Sequence, residues 1–121
     1  MLALAVAASA SVGACTRYLL DRAIQGRSRG PFPVGILVVN VLGCFLAGIV
    51  AGAARREGVD PAAVLAASTG FCGGLTTWST WAWDTVALAA EDRLALALAN
   101  VLGSLAAGIA ATSLGLILAS G

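Results

Sequence analysis

Long uncharged stretches, separated by short charged ones, dominate the chain. Charged side chains are absent from residues 30–54, 61–83 and 94–121, and the first 16 residues are also uncharged. A helix that crosses a bilayer needs roughly 20 mostly apolar residues. The pattern therefore predicts one all-α integral membrane domain over residues 1–121, with four transmembrane helices over residues 2–21, 33–54, 61–90 and 94–119.

The third predicted span is too long to be one straight helix. Residues 61–90 as continuous helix would measure about 45 Å, against a hydrocarbon core of about 30 Å. A glycine doublet followed by four hydroxyl residues and two indoles lies inside it. We therefore expect a break near residues 73–77, with the helix restarting around Thr77. Such a break exposes carbonyls, which can hold a hard cation such as Na⁺, and N–H groups, which favour an anion.

Polar side chains in the second and fourth spans are few and regularly placed. Asn40 is the only strongly polar residue of the second span, where it either joins helices or offers an N–H donor to a passing ion. Asn100, Ser104, Gly108 and Thr112 recur at intervals of four, which puts them on one helical face. That face either packs against a helix or forms one wall of a polar track.

Arg17 lies at the end of the first span, four residues before Asp21. Residues four apart on a helix are close enough to interact. An arginine at the end of a span usually pairs or reaches the interface. Arg17 is therefore either an interfacial anchor or a group that draws anions towards a vestibule.

The other arginines bear on membrane orientation. Cytoplasmic loops are normally richer in Lys and Arg, and the four-span arrangement gives only a weak excess on one side. Insertion in both orientations, which permits an antiparallel dimer, and insertion in one orientation with the first loop inside are both open. The two groups are Arg22, Arg27, Arg29 and Arg93 on one side, and Arg55 and Arg56 on the other.

Composition excludes several classes of protein. The chain is 60% hydrophobic and 11% charged, whereas soluble domains carry about 25% charged residues. A net charge of +1 excludes the basic face that nucleic-acid binding needs. The N-terminus lacks the basic region of a signal peptide, so we expect the first span to remain. Cys15, Cys44 and Cys72 lack metal-site spacing and are interpreted as small apolar residues. No nucleophile–base pair or metal cluster points to an enzyme.

The chemistry available inside the spans favours a small anion. The spans contain no Glu, Lys or His near mid-membrane, so proton-coupled transport lacks its usual titrating group. Hydroxyl, amide and indole groups can donate hydrogen bonds, and aromatic edges carry positive partial charge. An uncharged pathway rich in donors suits an anion that accepts strong hydrogen bonds.

Three sequence runs resemble the signatures of the Fluc (CrcB) fluoride channels. They are 13–18 (GACTRY), 39–45 (VNVLGCF) and 70–81 (GFCGGLTTWSTW). The resemblance covers essentially the whole chain. It implies a fluoride-selective channel in the inner cell membrane that exports cytoplasmic fluoride passively and so lowers its toxicity. It also implies an antiparallel, dual-topology homodimer, surrounded by membrane lipid, with two fluoride pathways.

The same resemblance implies a set of functional residues. A central structural Na⁺ would be held by the main-chain carbonyls of Gly73 and Thr76 in each subunit. Arg17 corresponds to the arginine of the family's first span. Anion-pathway donors fall at Asn40, Thr77, Ser79, Thr80 and Ser104.

The chain departs from the family pattern at its aromatic residues. Trp78 and Trp81 stand where the family has paired phenylalanines that face fluoride, and Asn100 stands in place of a tyrosine. A non-conducting partner subunit of a heterodimer therefore stays open as an alternative. A small multidrug-type transporter is the less favoured alternative, because that class needs an acidic residue in its first span and residues 1–16 contain none.

Overall fold

The computed structural model describes residues 1–121, and every regular element in it is a helix. This confirms the all-α class. Three helices are long and apolar enough to cross a membrane: α1, α2 and α6. The elements are α1 (Leu2–Gln25), α2 (Val34–Ala53), α3 (Pro61–Leu65), a π-helical segment (Ala66–Cys72), α4 (Gly73–Leu75), α5 (Trp78–Ala90) and α6 (Leu94–Ser120).

The long helices lie close to their predicted bounds, with one extension. Helix α1 continues to Gln25, past the predicted end at residue 21. Arg22 in its last turn is favourable beside the carbonyl end of a helix. Gln25 then fixes the following loop, since its Nε2 donates to the Phe32 carbonyl at 3.2 Å and its Oε1 accepts from the Gly35 N–H at 3.1 Å.

Residues 61–90 are helical except at Thr76 and Thr77. Asp60 caps the start of α3 by accepting from the Ala62 N–H at 2.9 Å, and the chain continues through the π-helical segment into α4. Thr76 (φ −89°, ψ 159°) and Thr77 (φ −147°, ψ 122°) are extended. The glycine doublet is therefore not the interruption, because Gly73 is itself helical (φ −63°, ψ −37°).

The glycines instead allow helices to pack backbone against backbone. A Cβ built on Gly74 would lie 3.0 Å from the Ala10 Cα, and one on Gly13 would lie 2.9 Å from the Leu75 nitrogen. Helices α2 and α6 meet in the same way, through Gly48 and Gly115. At these contacts any side chain larger than a hydrogen would overlap the facing backbone. The positions of the glycines therefore determine which helix faces approach each other.

Most of the apolar surface lies outside the chain's own core. Only 16 of 121 residues are buried, with Val39 and Leu75 fully enclosed. The accessible surface is 7289 Å², whereas a compact soluble monomer of 12.0 kDa exposes about 6,000 Å². Large apolar side chains such as Leu102 and Ile109 on α6 are more than half exposed. This surface requires an apolar environment around the chain.

Candidate functional site

Thr76 and Thr77, the two residues of the interruption, form hydrogen bonds to the helical turns before and after it. The main-chain N–H and the Oγ1 of Thr76 each donate to the Cys72 carbonyl at 3.0 Å, which completes the last turn before the break. The Thr77 Oγ1 accepts from the Thr80 N–H at 3.3 Å and so caps α5. Threonine oxygens are good helix N-caps. The helix stops at the threonines because they supply these caps, whereas Gly73 and Gly74 cannot.

Asn40 of α2 binds both main-chain groups of Thr77. Its Oδ1 accepts from the Thr77 N–H at 2.8 Å, and its Nδ2 donates to the Thr77 carbonyl at 3.1 Å. Thr77 is buried, and unpaired main-chain groups in such a place are costly. The amide of Asn40 therefore satisfies the two groups that a continuous helix would have satisfied.

Arg17 of α1 binds the other residue of the break. Its Nη1 donates to the Thr76 carbonyl at 3.0 Å. Arg17 and Asp21 form no ion pair, although their spacing would permit one: the only ion pair in the chain joins Arg93 and Glu91 at 3.4 Å. The physical reason is that Thr76 leaves the helix with a partly buried carbonyl that needs a donor, and the guanidinium of Arg17 supplies one.

A cavity of about 710 Å³ opens beside the interruption, between α2, α5 and α6. None of the side chains around it carries a charge. Most of its lining surface is apolar and comes from α6 and from the rings of Trp78 and Trp81, while hydroxyl, amide, thiol and indole groups form the smaller polar part. The lining residues are Asn40, Cys44, Thr76, Thr77, Trp78, Trp81, Val101, Ser104, Leu105, Gly108, Ile109, Thr112 and Ser113.

The residues predicted as the anion pathway are only partly brought together. Five of them line the cavity: Asn40, Thr77, Trp78, Trp81 and Ser104. The other three lie outside its lining. Ser79 and Thr80 are in the first turn of α5, where their hydroxyls lie 3.4 Å and 3.1 Å from the Thr77 Oγ1, and Arg17 lies behind the break.

The two residues predicted to bind Na⁺ differ in their surroundings. Thr76 lines the cavity, and its carbonyl accepts from Arg17. Gly73 is exposed, and its nearest neighbour beyond its own turn would be the Ser68 carbonyl, 3.9 Å from an added Cβ. In a continuous helix the Thr77 N–H would donate to the Gly73 carbonyl, but here it donates to Asn40.

The two cavity tryptophans are stacked but not equivalent. Their ring centroids are 4.6 Å apart and their planes are tilted by 43°. The Trp81 Nε1 donates to the Asn100 carbonyl at 3.4 Å. Trp78 is 77% exposed and its indole N–H has no acceptor within the chain. Of the two indole N–H groups, only that of Trp78 is free to meet a ligand.

Sequence reasoning missed part of the cavity wall. Cys44, interpreted as a small apolar residue, lines the cavity, and its carbonyl accepts from the Thr112 Oγ1 at 3.2 Å. Its spacing of four from Asn40 places it on the same face of α2, which is the signal that could have identified it. Ser113 also lines the cavity, and it lies outside the row of residues spaced by four.

The cap at Thr77 gives a direct test of the local structure. Replacing Thr77 by Ala removes the oxygen that caps α5, so we expect the free energy of unfolding in detergent to fall by about 1 kcal/mol. Thr77→Ser keeps the oxygen and should retain most of that stability. Denaturant unfolding followed by circular dichroism measures both variants. Equal stability of the Ala and Ser variants would show that the cap contributes nothing.

The fold and the cavity define a small multi-pass membrane protein whose uncharged, largely apolar cavity lies beside an interrupted helix. A family model described as CrcB-like protein, Camphor Resistance (CrcB), matches residues 4–116. The chain belongs to this family, as its sequence runs predicted.

Curated relatives resemble the chain over nearly its whole length. It is 45% identical to a Frankia casuarinae protein named fluoride-specific ion channel FluC 1, over 96% of this chain and 94% of that protein. It is 46% identical to a Thermobifida fusca protein of the same name, over 96% and 93%. A fluoride-specific ion channel FluC of Solibacter usitatus is 42% identical, over 96% of both chains.

Proposed function

We propose that this chain forms a fluoride-selective channel that lets cytoplasmic fluoride leave the cell passively. The observation that carries the proposal is the cavity at the helix interruption, which has no ionised side chain and whose largely apolar lining includes the free indole N–H of Trp78 and the hydroxyls of Ser104 and Ser113. Its relatives named as fluoride-specific channels support the same function. Fluoride enters a cell as HF, dissociates at cytoplasmic pH and then escapes as the anion down its gradient.

The cavity suits an anion that gives up water and accepts replacement hydrogen bonds. Ser104 and Trp78 line it with groups that can donate, and the tryptophan rings add edges of positive partial charge. Asn40 adds an amide, although both of its ends are bound to Thr77. Because no carboxylate, amine or imidazole lines the cavity, the pathway has no group to couple movement to protons.

We infer that residues 61–90 together form one membrane crossing, the third in chain order, in addition to α1, α2 and α6. The helical run 61–75 is about 22 Å long and α5 about 20 Å, so neither alone spans a hydrocarbon core of about 30 Å. Joined through Thr76 and Thr77, they are long enough. Non-helical backbone at membrane depth is tolerated where it is buried in protein or lines a cavity. Here Asn40 and Arg17 satisfy the non-helical backbone by donating hydrogen bonds to the Thr77 and Thr76 carbonyls.

The channel is proposed to be an antiparallel, dual-topology homodimer in the inner cell membrane. The extra exposed surface supports a partner, and it includes Trp78 and Ile109 at the cavity rim. The weak arginine bias supports insertion in both orientations. An unequal pair, with a second related chain as partner, is the alternative arrangement.

A structural Na⁺ shared by the two subunits is also proposed. Of its two expected carbonyl ligands, that of Gly73 suits the ion better than that of Thr76. Na⁺ is a hard cation that prefers oxygen ligands, such as the carbonyls freed where a helix is interrupted. The Gly73 carbonyl fits well, since it is exposed and receives no main-chain N–H. The Thr76 carbonyl already accepts from the Arg17 guanidinium, which leaves it one lone pair. Bound there, the ion would offset the partial negative charge of main-chain carbonyl oxygens at the subunit interface.

Fluoride efflux from liposomes containing this chain alone tests the function. A fluoride electrode reads the release, and chloride-loaded liposomes provide the control. Fast fluoride release without chloride release is the expected result, and it would also show that the chain needs no second gene product. Absence of release from well-folded protein would contradict a self-sufficient channel and favour the non-conducting partner subunit.

A further inference from the structure

A buried polar network lies directly behind the cavity, between α5 and α6. Its centre is Asn100, which is completely enclosed, with 0% of its surface exposed. Asn100 does not line the cavity, although it falls in the same row as Ser104, Gly108 and Thr112. A buried amide in an apolar surrounding must have partners on both its ends, and here every partner lies in or next to the cavity wall.

The network links Asn100 to three residues. Its Nδ2 donates to the Thr85 Oγ1 at 2.9 Å, and that hydroxyl donates in turn to the Trp81 carbonyl at 2.8 Å. The Ser104 Oγ lies 3.5 Å from the Asn100 Oδ1 as a donor. The Trp81 Nε1 donates to the main-chain carbonyl of Asn100 at 3.4 Å. The Ser104 hydroxyl is thus held by the Asn100 side chain, and the Trp81 ring by the main chain of the same residue.

We propose that Asn100 and Thr85 are positioning residues of the anion pathway. This rests on the proposed function, because it assigns them a part in conduction. The short bond from Asn100 to Thr85 joins α6 to α5, and the short bond from Thr85 to the Trp81 carbonyl stays within α5. The two long bonds, at 3.4 Å and 3.5 Å, hold the cavity groups weakly. The Ser104 hydroxyl can therefore leave Asn100 and donate to an anion. The Trp81 ring is also packed against Trp78, with ring centroids 4.6 Å apart, and so is held by more than its hydrogen bond.

The indole bond also assigns Trp81 its role in the pathway. Because its N–H is directed at the Asn100 carbonyl, Trp81 offers an anion the carbon-bound hydrogens of its ring edge. The N–H of Trp78 remains free for the anion. The network thereby makes the two tryptophans chemically different partners.

Thr85 gives the sharpest test, because it holds Asn100 without lining the cavity. Thr85→Val keeps the side-chain shape and removes both hydrogen bonds, whereas Thr85→Ser keeps the hydroxyl. Thr16→Val is the matched control, since the Thr16 Oγ1 bonds only its own helix, at the Val12 carbonyl, 2.8 Å away. Asn100→Leu is the direct variant and is measured beside them.

Two measurements on each variant are compared. Fluoride efflux from liposomes should fall about tenfold in Thr85→Val, as expected when the buried Asn100 Nδ2 is left without its acceptor, and stay near wild type in Thr85→Ser and Thr16→Val. Hydrogen exchange of the Trp81 indole N–H is followed by ¹⁵N NMR of the protein in detergent, with Trp81→Phe used to assign the signal. It should be faster in Thr85→Val than in either control variant.

The two measurements separate this proposal from the proposed function. Unchanged indole exchange in Thr85→Val overturns the positioning role, whatever the efflux. Faster exchange with unchanged efflux in both Thr85→Val and Asn100→Leu overturns the part in conduction. Wild-type protein that releases no fluoride overturns the proposed function alone, and the indole exchange still decides whether Thr85 and Asn100 position Trp81.

Discussion

Replacing Asn40 by Asp should abolish fluoride efflux. The Asn40 Nδ2 donates to the Thr77 carbonyl at 3.1 Å, and a carboxylate oxygen there would face that carbonyl without a hydrogen to share. The variant also places a fixed negative charge on the cavity wall. At about 4 Å and an effective dielectric constant of about 20, that charge costs a passing anion about 4 kcal/mol, or about a thousandfold in rate. Liposome efflux measures the loss.

Two further variants separate charge from structure in this experiment. Asn40→Leu removes both bonds to Thr77 without adding charge, so its residual efflux reports the structural part alone. Gln25→Glu makes the same change from amide to carboxylate in the last turn of α1, outside the cavity lining, and should leave efflux within about twofold of wild type. Undiminished efflux in Asn40→Asp would remove Asn40 from the pathway.

Replacing Gly73 by Val should separate the subunits without unfolding them. Within the chain, a Cβ at Gly73 would come no closer than 3.9 Å to any other group, so valine fits the isolated subunit. Its bulk would stand between two subunits whose backbones must approach a shared cation. We expect an unchanged helical circular dichroism spectrum, a monomer by light scattering in detergent, and loss of any Na⁺-dependent rise in melting temperature.

Two other glycines provide matched controls for the same substitution. Gly103 is exposed on α6 with nothing within 4 Å of an added Cβ, so Gly103→Val should leave both the subunit and the dimer intact. Gly74 packs on the backbone of Ala10, so Gly74→Val should unfold the subunit itself. A dimeric, conducting Gly73→Val protein would show that no cation is shared at this position.

The extent of the helices was predictable because it follows from apolar length. Helices α2 and α6 begin and end within one residue of their predicted bounds, and the need for a break within residues 61–90 followed from the limited thickness of a membrane. The exact interruption was only partly predictable. The threonine that caps α5 is a local signal, but the two bonds from Asn40, 37 residues away in sequence, are not contained in any local pattern.

Side-chain partners across helices were the least predictable part of the site. The row of Asn100, Ser104, Gly108 and Thr112 was correctly placed on one side of its helix, yet only the last three line the cavity. Asn100 turns to α5, where Thr85 accepts its N–H. Helical periodicity predicts which face of the helix a side chain lies on. Which neighbouring group that side chain then contacts depends on how three helices pack together.

A break in a helix is usually regarded as a flexible hinge, but hydrogen bonds to neighbouring helices make this one resist bending. Arg17 from α1 and Asn40 from α2 hold the two extended residues by three hydrogen bonds. Bending there would require breaking all three, at a cost of roughly 3 kcal/mol or more. The two half-helices thus keep a fixed angle to each other. Any opening and closing of the cavity has to come from side-chain rotation or from movement of whole helices.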